Sequence, residues 1–308
     1  MPGSTKMTKI IKPRVEIPVI FDEWAKRHNY SEKSKNKYGY MFATFVRFLN
    51  ECDIPIESVS STVIQQFVEI KLSDISIKSK LSYLWLIHEI YYDFVEDGKV
   101  EINPVYKILV KTKKENRGKQ PTRLPLSLSQ YERKLFIAYI DSLPRNYQGM
   151  LVRCALSLML HTGLRANELC ELKKYDMHLY DDTAWLRVIG KFNKERNVPV
   201  PDEIVNDLIE FLDMQEDGLG DCFIQKSGTG NSYTPNGIYF MVKVALKRTN
   251  ITKVRMSPHI LRHTFATTAL IAGNTMKQVQ QWLGHETSAS TDIYVSFVES
   301  ISSIKTVN

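Results

Sequence analysis

"SPHILRHTFATTAL", residues 257–270, spaces Ile260, Leu261, Phe265, Ala266 and Leu270 as the buried face of a helix, yet its first turns carry His259, Arg262 and His263. Ser257 is a favourable N-cap and Pro258 a favourable first residue, which leaves free amides and the positive end of the helix dipole beside His259 and Arg262. Residues three apart share a face, so one imidazole and one guanidinium point the same way. Such a helix start accepts an anion, and a phosphate fits it. His263 lies one step round the helix and reads as a supporting or structural group.

Three other segments carry similar groups. In "HTGLRANELCEL" (161–172) a Thr162-Gly163 turn delivers Arg165 to the mouth of a helix whose Leu164, Leu169 and Leu172 are core. Glu168, one turn along, is placed to orient Arg165 through a charge-assisted hydrogen bond, although a surface arginine paired to a glutamate reads the same way. In "GKFNKERNVPV" (190–200) Lys191 and Lys194 sit at a hairpin tip, with Arg196 on the returning strand. Lysines there either only aid solubility or let Lys191 swing into a cleft as a proton donor. In "QQWLGHETSASTDIYVS" (280–296) Trp282 and Leu283 end a core helix, Gly284 suits the left-handed turn after it, and His285 follows directly. Tyr294 begins another helix after a Ser/Thr-rich loop; taken alone it reads as packing.

The chain has 308 residues, enough for two domains, and no apolar run near the ~18 residues a membrane span needs. Cys52, Cys154, Cys170 and Cys222 form no CxxC pair and read as reduced core residues, so no metal site is expected. Net charge is +7, and it is unevenly placed: residues 1–124 hold 21 Lys/Arg against 15 Asp/Glu, whereas the remainder is nearly balanced. A polyanion such as nucleic acid is a candidate partner for the first half.

The first half reads as helices: 17–28, a stretch from the cap Ser31 to Leu49, one near 61–72, and 77–98. In the last, Leu81, Leu84, Trp85, His88 and Tyr92 form the expected apolar stripe. "KTKKENRGKQPTR" (111–123) has six basic residues and almost nothing to bury, so it reads as an exposed linker, either merely solvated or lying along DNA phosphates. The second half reads as helices near 127–143, 145–161, 166–175, 202–215, 235–249, 258–272, 275–283 and 289–304, with a β-hairpin in 183–201. The fold class is mainly α with a small antiparallel sheet.

Taken together, Arg165, Lys191, His259, Arg262, His285 and Tyr294, in that order, resemble the six-residue signature of the tyrosine recombinases. The strings "TGLRANEL", "VIGKFNKERNVPV", "SPHILRHTFAT" and "WLGHETSASTDIY" resemble that family's boxes with their internal spacing, over residue 15 to the end, and are nearest the Xer-like and transposon-borne simple recombinases. The loop departs from the family at "GKF", where a second glycine is common, which leaves Lys194 as an alternative to Lys191.

Residues 1–14 read as a disordered or tag-derived segment and 111–124 as a basic linker, and the resemblance implies a helical, SAM-like core-binding domain at 15–110 and a mixed α/β catalytic domain of the DNA breaking-rejoining fold at 125–308. It implies site-specific recombination through a 3′-phosphotyrosine on Tyr294 and a Holliday junction, without metal, ATP or other cofactor. Arg165, Arg262 and His285 would bind the non-bridging phosphate oxygens, His259 would be the base for Tyr294, and Lys191 the acid for the 5′-oxygen. The implied partners are double-stranded DNA sites and a homotetramer on them, with a related recombinase or accessory protein as a further partner, in a cytoplasmic, nucleoid-associated setting. Lys33, Ser34, Lys37, Lys78, Lys80, Lys111, Lys113, Lys114 and Arg117 are the candidate DNA contacts. A type IB topoisomerase would share the chemistry, and a non-enzymatic DNA-binding protein would share the fold.

Overall fold

The computed structural model describes residues 19–117, 126–180, 183–190, 193–215, 218–285 and Tyr294. The chain divides into two compact units, Met1–Thr122 and Arg123–Asn308. Lys191, the segment 1–14 and the expected helix around 289–304, Tyr294 apart, lie outside the described residues.

The first unit contains α1 (Val19–Arg27), α2 (Glu32–Glu51), α3 (Ser61–Lys71), α4 (Ile77–Glu96) and α5 (Tyr106–Glu115). Serine side chains cap three of these: Ser31, Ser60 and Ser76 accept from the amides of Ser34, Val63 and Ser79. Asn29 takes a positive φ of 44° between α1 and α2, a conformation asparagine tolerates better than most residues. The core is largely aromatic, with Phe21, Phe42, Phe45, Phe48, Phe67 and Tyr91 buried and the Phe45 and Phe67 rings edge-to-face at 5.0 Å.

Two expectations for this unit are corrected. The stripe expected on α4 is offset: Leu84, Ile87, Tyr91 and Phe94 are buried, whereas Tyr92 is 55% exposed. The helix is apolar on much of its circumference, so spacing alone offered two faces, and Tyr91 decides between them by filling the core and donating to the Ile56 carbonyl at 2.6 Å. Residues 111–115 are also not linker but the last turns of α5. Lysine is a good helix former, Val105 and Leu109 are buried, and the Asn103 side chain accepts from the Val105 amide at 3.0 Å, fixing the approach to the helix. Lys113 and Lys114 thus stand in a C-terminal turn, where the dipole favours cations.

The second unit contains α6 (Gln130–Asp141), α7 (Tyr147–Thr162), α8 (Ala166–Glu171), β1 (Met177–Tyr180), β2 (Thr183–Ile189), β3 (Glu195–Val200), α9 (Asp202–Asp213), α10 (Pro235–Arg248), α11 (Pro258–Ile271) and α12 (Met276–Leu283). The sheet is antiparallel in the order β1-β2-β3, with Leu186 opposite Met177 on one side and Val198 on the other. Ala184, Leu186 and Val188 face the core in strict alternation. Through Leu160, α7 is buried on nearly all sides, which marks it as the central helix of this unit. β1, only four residues, carries too little periodicity to be read from sequence.

The ends of α7 and α12 position the site. Each closes on a glycine in the left-handed region, Gly163 at φ 67° and Gly284 at φ 62°, and each leaves terminal carbonyls without helical partners. α11 starts beside both.

Candidate active site

Arg262, in the second turn of α11, is only 3% exposed. Its guanidinium donates to the Gly163 carbonyl at 2.7 Å and to the Leu283 carbonyl at 2.5 Å. These are the free carbonyls at the C-terminal ends of α7 and α12, where the dipole is negative, so a buried cation is held by groups that need a donor. Burial, and then the neighbouring Arg165, lower the affinity of this guanidinium for its proton, yet it stays cationic at neutral pH.

The end of α12 serves three arginines in succession. Arg196 Nε donates to the Trp282 carbonyl at 2.7 Å, Arg262 to Leu283, and Arg165 Nη2 reaches the Gly284 carbonyl at 3.5 Å. Glu168, 6% exposed, binds two of the three: Oε1 accepts from Arg165 Nη1 at 2.7 Å, and both oxygens accept from Arg196, at 3.1 and 2.8 Å. Its Oε2 also accepts from the Arg165 amide at 2.8 Å, closing the start of α8. Burial alone would raise the Glu168 carboxyl, but Arg196 and then Arg165 hold it down at about 2. Two guanidiniums thus share one carboxylate and a third lies nearby, a cluster with surplus positive charge suited to an anion.

Tyr294, 4% exposed, packs with Phe265, Ala266, Val279 and Leu283 of α11 and α12. Its hydroxyl lies 2.6 Å from His263 Nδ1. The His285 ring is nearly parallel to the tyrosine ring, with centroids 6.2 Å apart and 10° between planes. Burial raises the phenol's pKa, opposed by Arg262 and then Arg165. His285 is depressed to about 4 by burial and the three arginines, and His263 to about 4 by burial, His259 and Arg262, so both are neutral at pH 7.

Arg165, His259, Arg262, His285 and Tyr294 are thus gathered around the ends of α7 and α12 and the start of α11. The His259 residue is exposed, its ring 6.3 Å from that of His263, and partial desolvation of the imidazole, then Arg262 and Arg165, lower its pKa. Among the described residues the Tyr294 hydroxyl shares its hydrogen bond with His263, not His259. Ser257 stands at the N-cap of α11 as expected, but its hydroxyl makes no capping hydrogen bond. Sequence reading placed His263 as a supporting group and Arg196 on the returning strand, and gave neither a part in the site. Arg196 had a signal: an arginine on a strand returning from a segment already rich in cations.

Among the described residues no group of three or more His, Cys, Asp and Glu is placed to hold a metal, and the four cysteines are free thiols. No helix among them is long and apolar enough to cross a membrane.

The basic residues of the first unit are described separately. Lys33 and Lys37 are exposed on α2, and Ser34 shares a hydrogen bond with the cap Ser31 at 3.0 Å. Lys78 of α4 and Lys113 of α5 line one groove with Leu81, Ser82, Trp85 and Asn116. Lys80 is turned back onto the Ser73 carbonyl at 3.1 Å, Lys111 faces Glu115 at 3.9 Å, and Lys114 and Arg117 are exposed.

Gly163 provides a check on this packing. A Cβ there would lie 2.5 Å from Phe265 Cδ1 and 2.9 Å from Leu283 Cδ2, at a φ that side chains rarely adopt. Gly163→Ala should destabilise the protein by roughly 2–5 kcal/mol, from backbone strain plus overpacking. A urea melt with an unchanged midpoint would contradict this.

Residues 127–299 match the Phage integrase family. The tyrosine recombinase XerC of Bacillus pumilus is 31% identical over 282 residues, covering 86% of each chain, and a tyrosine recombinase of Thermosipho africanus is 30% identical over 82% of this chain and 77% of its own. Among solved structures, the XerH site-specific recombinase bound to palindromic difH substrate, a post-cleavage complex, aligns with a TM-score of 0.75 at 21% identity, over 91% of this chain and 81% of that one. A lambda integrase dimer bound to a COC′ core site aligns with a TM-score of 0.67 at 18% identity, over 89% and 75%. These two alignments show a common fold. The sequence matches establish that the chain belongs to the phage integrase family and is a tyrosine recombinase, a DNA strand-transferring enzyme.

Proposed function

We propose that the enzyme exchanges strands between two specific double-stranded DNA sites through a 3′-phosphotyrosine on Tyr294 and a Holliday junction. The observation that carries this reading is a buried phenol set against a cluster of guanidiniums with more positive than negative charge. Arg165 and Arg262 grip the non-bridging oxygens of the scissile phosphate, and planar guanidiniums suit this because each offers paired donors. His285, beside the Tyr294 ring, adds a third donor. Tyr294 attacks phosphorus, and the leaving 5′-oxygen takes its proton from Lys191 on the β2–β3 loop. The freed 5′-hydroxyl of one strand then attacks the phosphotyrosine of its partner, so the bond energy stored in the intermediate drives rejoining.

DNA is the expected partner. The named XerH and lambda integrase complexes hold recombination sites, and the exposed Lys33, Lys37, Lys78, Lys113, Lys114 and Arg117 offer phosphate contacts on the first unit, with Ser34, Lys80 and Lys111 beside them. Residues 116–124 form the strap over the duplex, four protomers assemble on two sites, and the reaction serves integration, transposition or resolution of fused replicons.

The test is a plasmid bearing two copies of a site selected by this protein from random DNA. Site-dependent deletion or inversion between the copies is expected. Relaxation of supercoils on a plasmid without the site, and no exchange, would instead assign a topoisomerase.

A further inference from the structure

We propose that Arg196 is a positioning residue for Arg165: it occupies Glu168 and so leaves the Arg165 guanidinium free to grip a phosphate, a role that rests on the strand-exchange reading above. Both arginines touch the same carboxylate, but they are placed differently. The Arg196 side chain is 10% exposed and that of Arg165 37%, so of the two it is Arg165 that can meet an incoming anion.

An ionised carboxylate has about four acceptor sites, and Glu168 fills them from these two residues. Oε1 accepts from Arg165 Nη1 at 2.7 Å and from Arg196 Nη1 at 3.1 Å, while Oε2 accepts from the Arg165 amide at 2.8 Å and from Arg196 Nη2 at 2.8 Å. Arg165 is thereby tied to Glu168 through one side-chain nitrogen. Burial would raise the pKa of this carboxyl, and Arg196 opposes that more than Arg165 does. The Glu168 charge is thus answered chiefly by Arg196, and Arg165 keeps its own for the phosphate.

Arg196 is itself held from several sides. It stands opposite Val188 on the sheet, and its Nε donates to the Trp282 carbonyl at 2.7 Å. The turn after α12 runs against it: a Cβ on Gly284 would lie 3.1 Å from Arg196 Nη1, 3.2 Å from Cδ and 3.3 Å from Cζ, and one on Gly190 would lie 3.4 Å from Nη1. Without Arg196, two acceptor sites of a buried carboxylate stand empty, which is costly enough to draw in a donor already at hand. Arg165 supplies it by turning a second nitrogen onto Glu168, the paired geometry that arginine and carboxylate favour. That fork no longer faces the phosphate.

The experiment measures the single-turnover rate constant of covalent capture on a nicked duplex carrying the selected site. Rate constants are read because an unfolded fraction lowers only the amplitude. Arg196→Met should slow capture by about 10²-fold, the scale of a misplaced reacting group. Adding Glu168→Gln removes the orphaned charge and should recover about tenfold or more. In an Arg165→Lys background there is no fork to misplace, so Arg196→Met should cost less than about threefold. A loss there as large as in the wild-type background would overturn the proposal and leave Arg196 a packing residue, as would a double variant as slow as Arg196→Met alone. Sulfur at the 5′-bridging position, a better leaving group, should not restore Arg196→Met; restoration would overturn the proposal by moving the action of Arg196 to the proposed acid. If the wild-type protein itself formed no covalent complex, the strand-exchange reading would fall first and this role with it.

Discussion

Tyr294→Phe should leave no covalent protein–DNA complex while binding DNA within a few-fold of wild type. The variant loses one oxygen and little volume, and the ring packs among Phe265, Ala266, Val279 and Leu283, so the surrounding helices keep their places. What disappears is the proposed nucleophile and its hydrogen bond to His263. Loss of that one hydrogen bond costs about 1 kcal/mol. Removing the attacking atom instead stops the chemistry outright. Gel-shift titration and denaturing gels on a nicked substrate separate the two effects. Covalent capture that persists in the variant would move the nucleophile to another residue.

Arg262→Lys is expected to slow cleavage by about 10²–10³-fold, the usual loss when one preorganised donor to a developing oxyanion is removed. The charge survives, but a single ammonium cannot bridge the Gly163 and Leu283 carbonyls and still present paired donors to a phosphate. Arg262→Ala should be at least as slow and also less stable, because two buried carbonyls lose their partner at about 1–3 kcal/mol each. Thermal melts beside the rates distinguish the contributions. A lysine variant that cleaves at the wild-type rate would show that charge alone suffices there.

The individual boxes were legible because their signals are local. Ser31 and Thr234 cap helices, Pro258 opens one, and Gly163 and Gly284 end two in the left-handed region, all as the residue types suggest. Arg165, Glu168 and Arg262 were recognisable from their place at helix starts. What spacing could not supply was the meeting of elements distant in sequence. Three successive carbonyls of residues 282–284 receive arginines from β3, α11 and the start of α8, and no local pattern encodes that convergence. The same holds for His263, whose partner is 31 residues away. It holds also for α4, where two apolar faces competed until Tyr91 found the Ile56 carbonyl. α5 was hidden by its lysines, which favour helix as readily as they suggest linker.

Glu168 links these observations. It couples Arg165 on one side to Arg196 on the other, and Arg196 belongs to the strand that follows the loop bearing Lys191. The start of α8 and the strand β3 are therefore tied to one buried carboxylate.

The most direct measurement of the central claim is peptide mapping of the covalent complex formed by the wild-type protein on a nicked duplex. The mechanism requires that the nucleotide be attached to the peptide containing Tyr294 through a 3′-phosphate, with a free 5′-hydroxyl on the released strand. Attachment at any other residue, or through a 5′-phosphate, would contradict it.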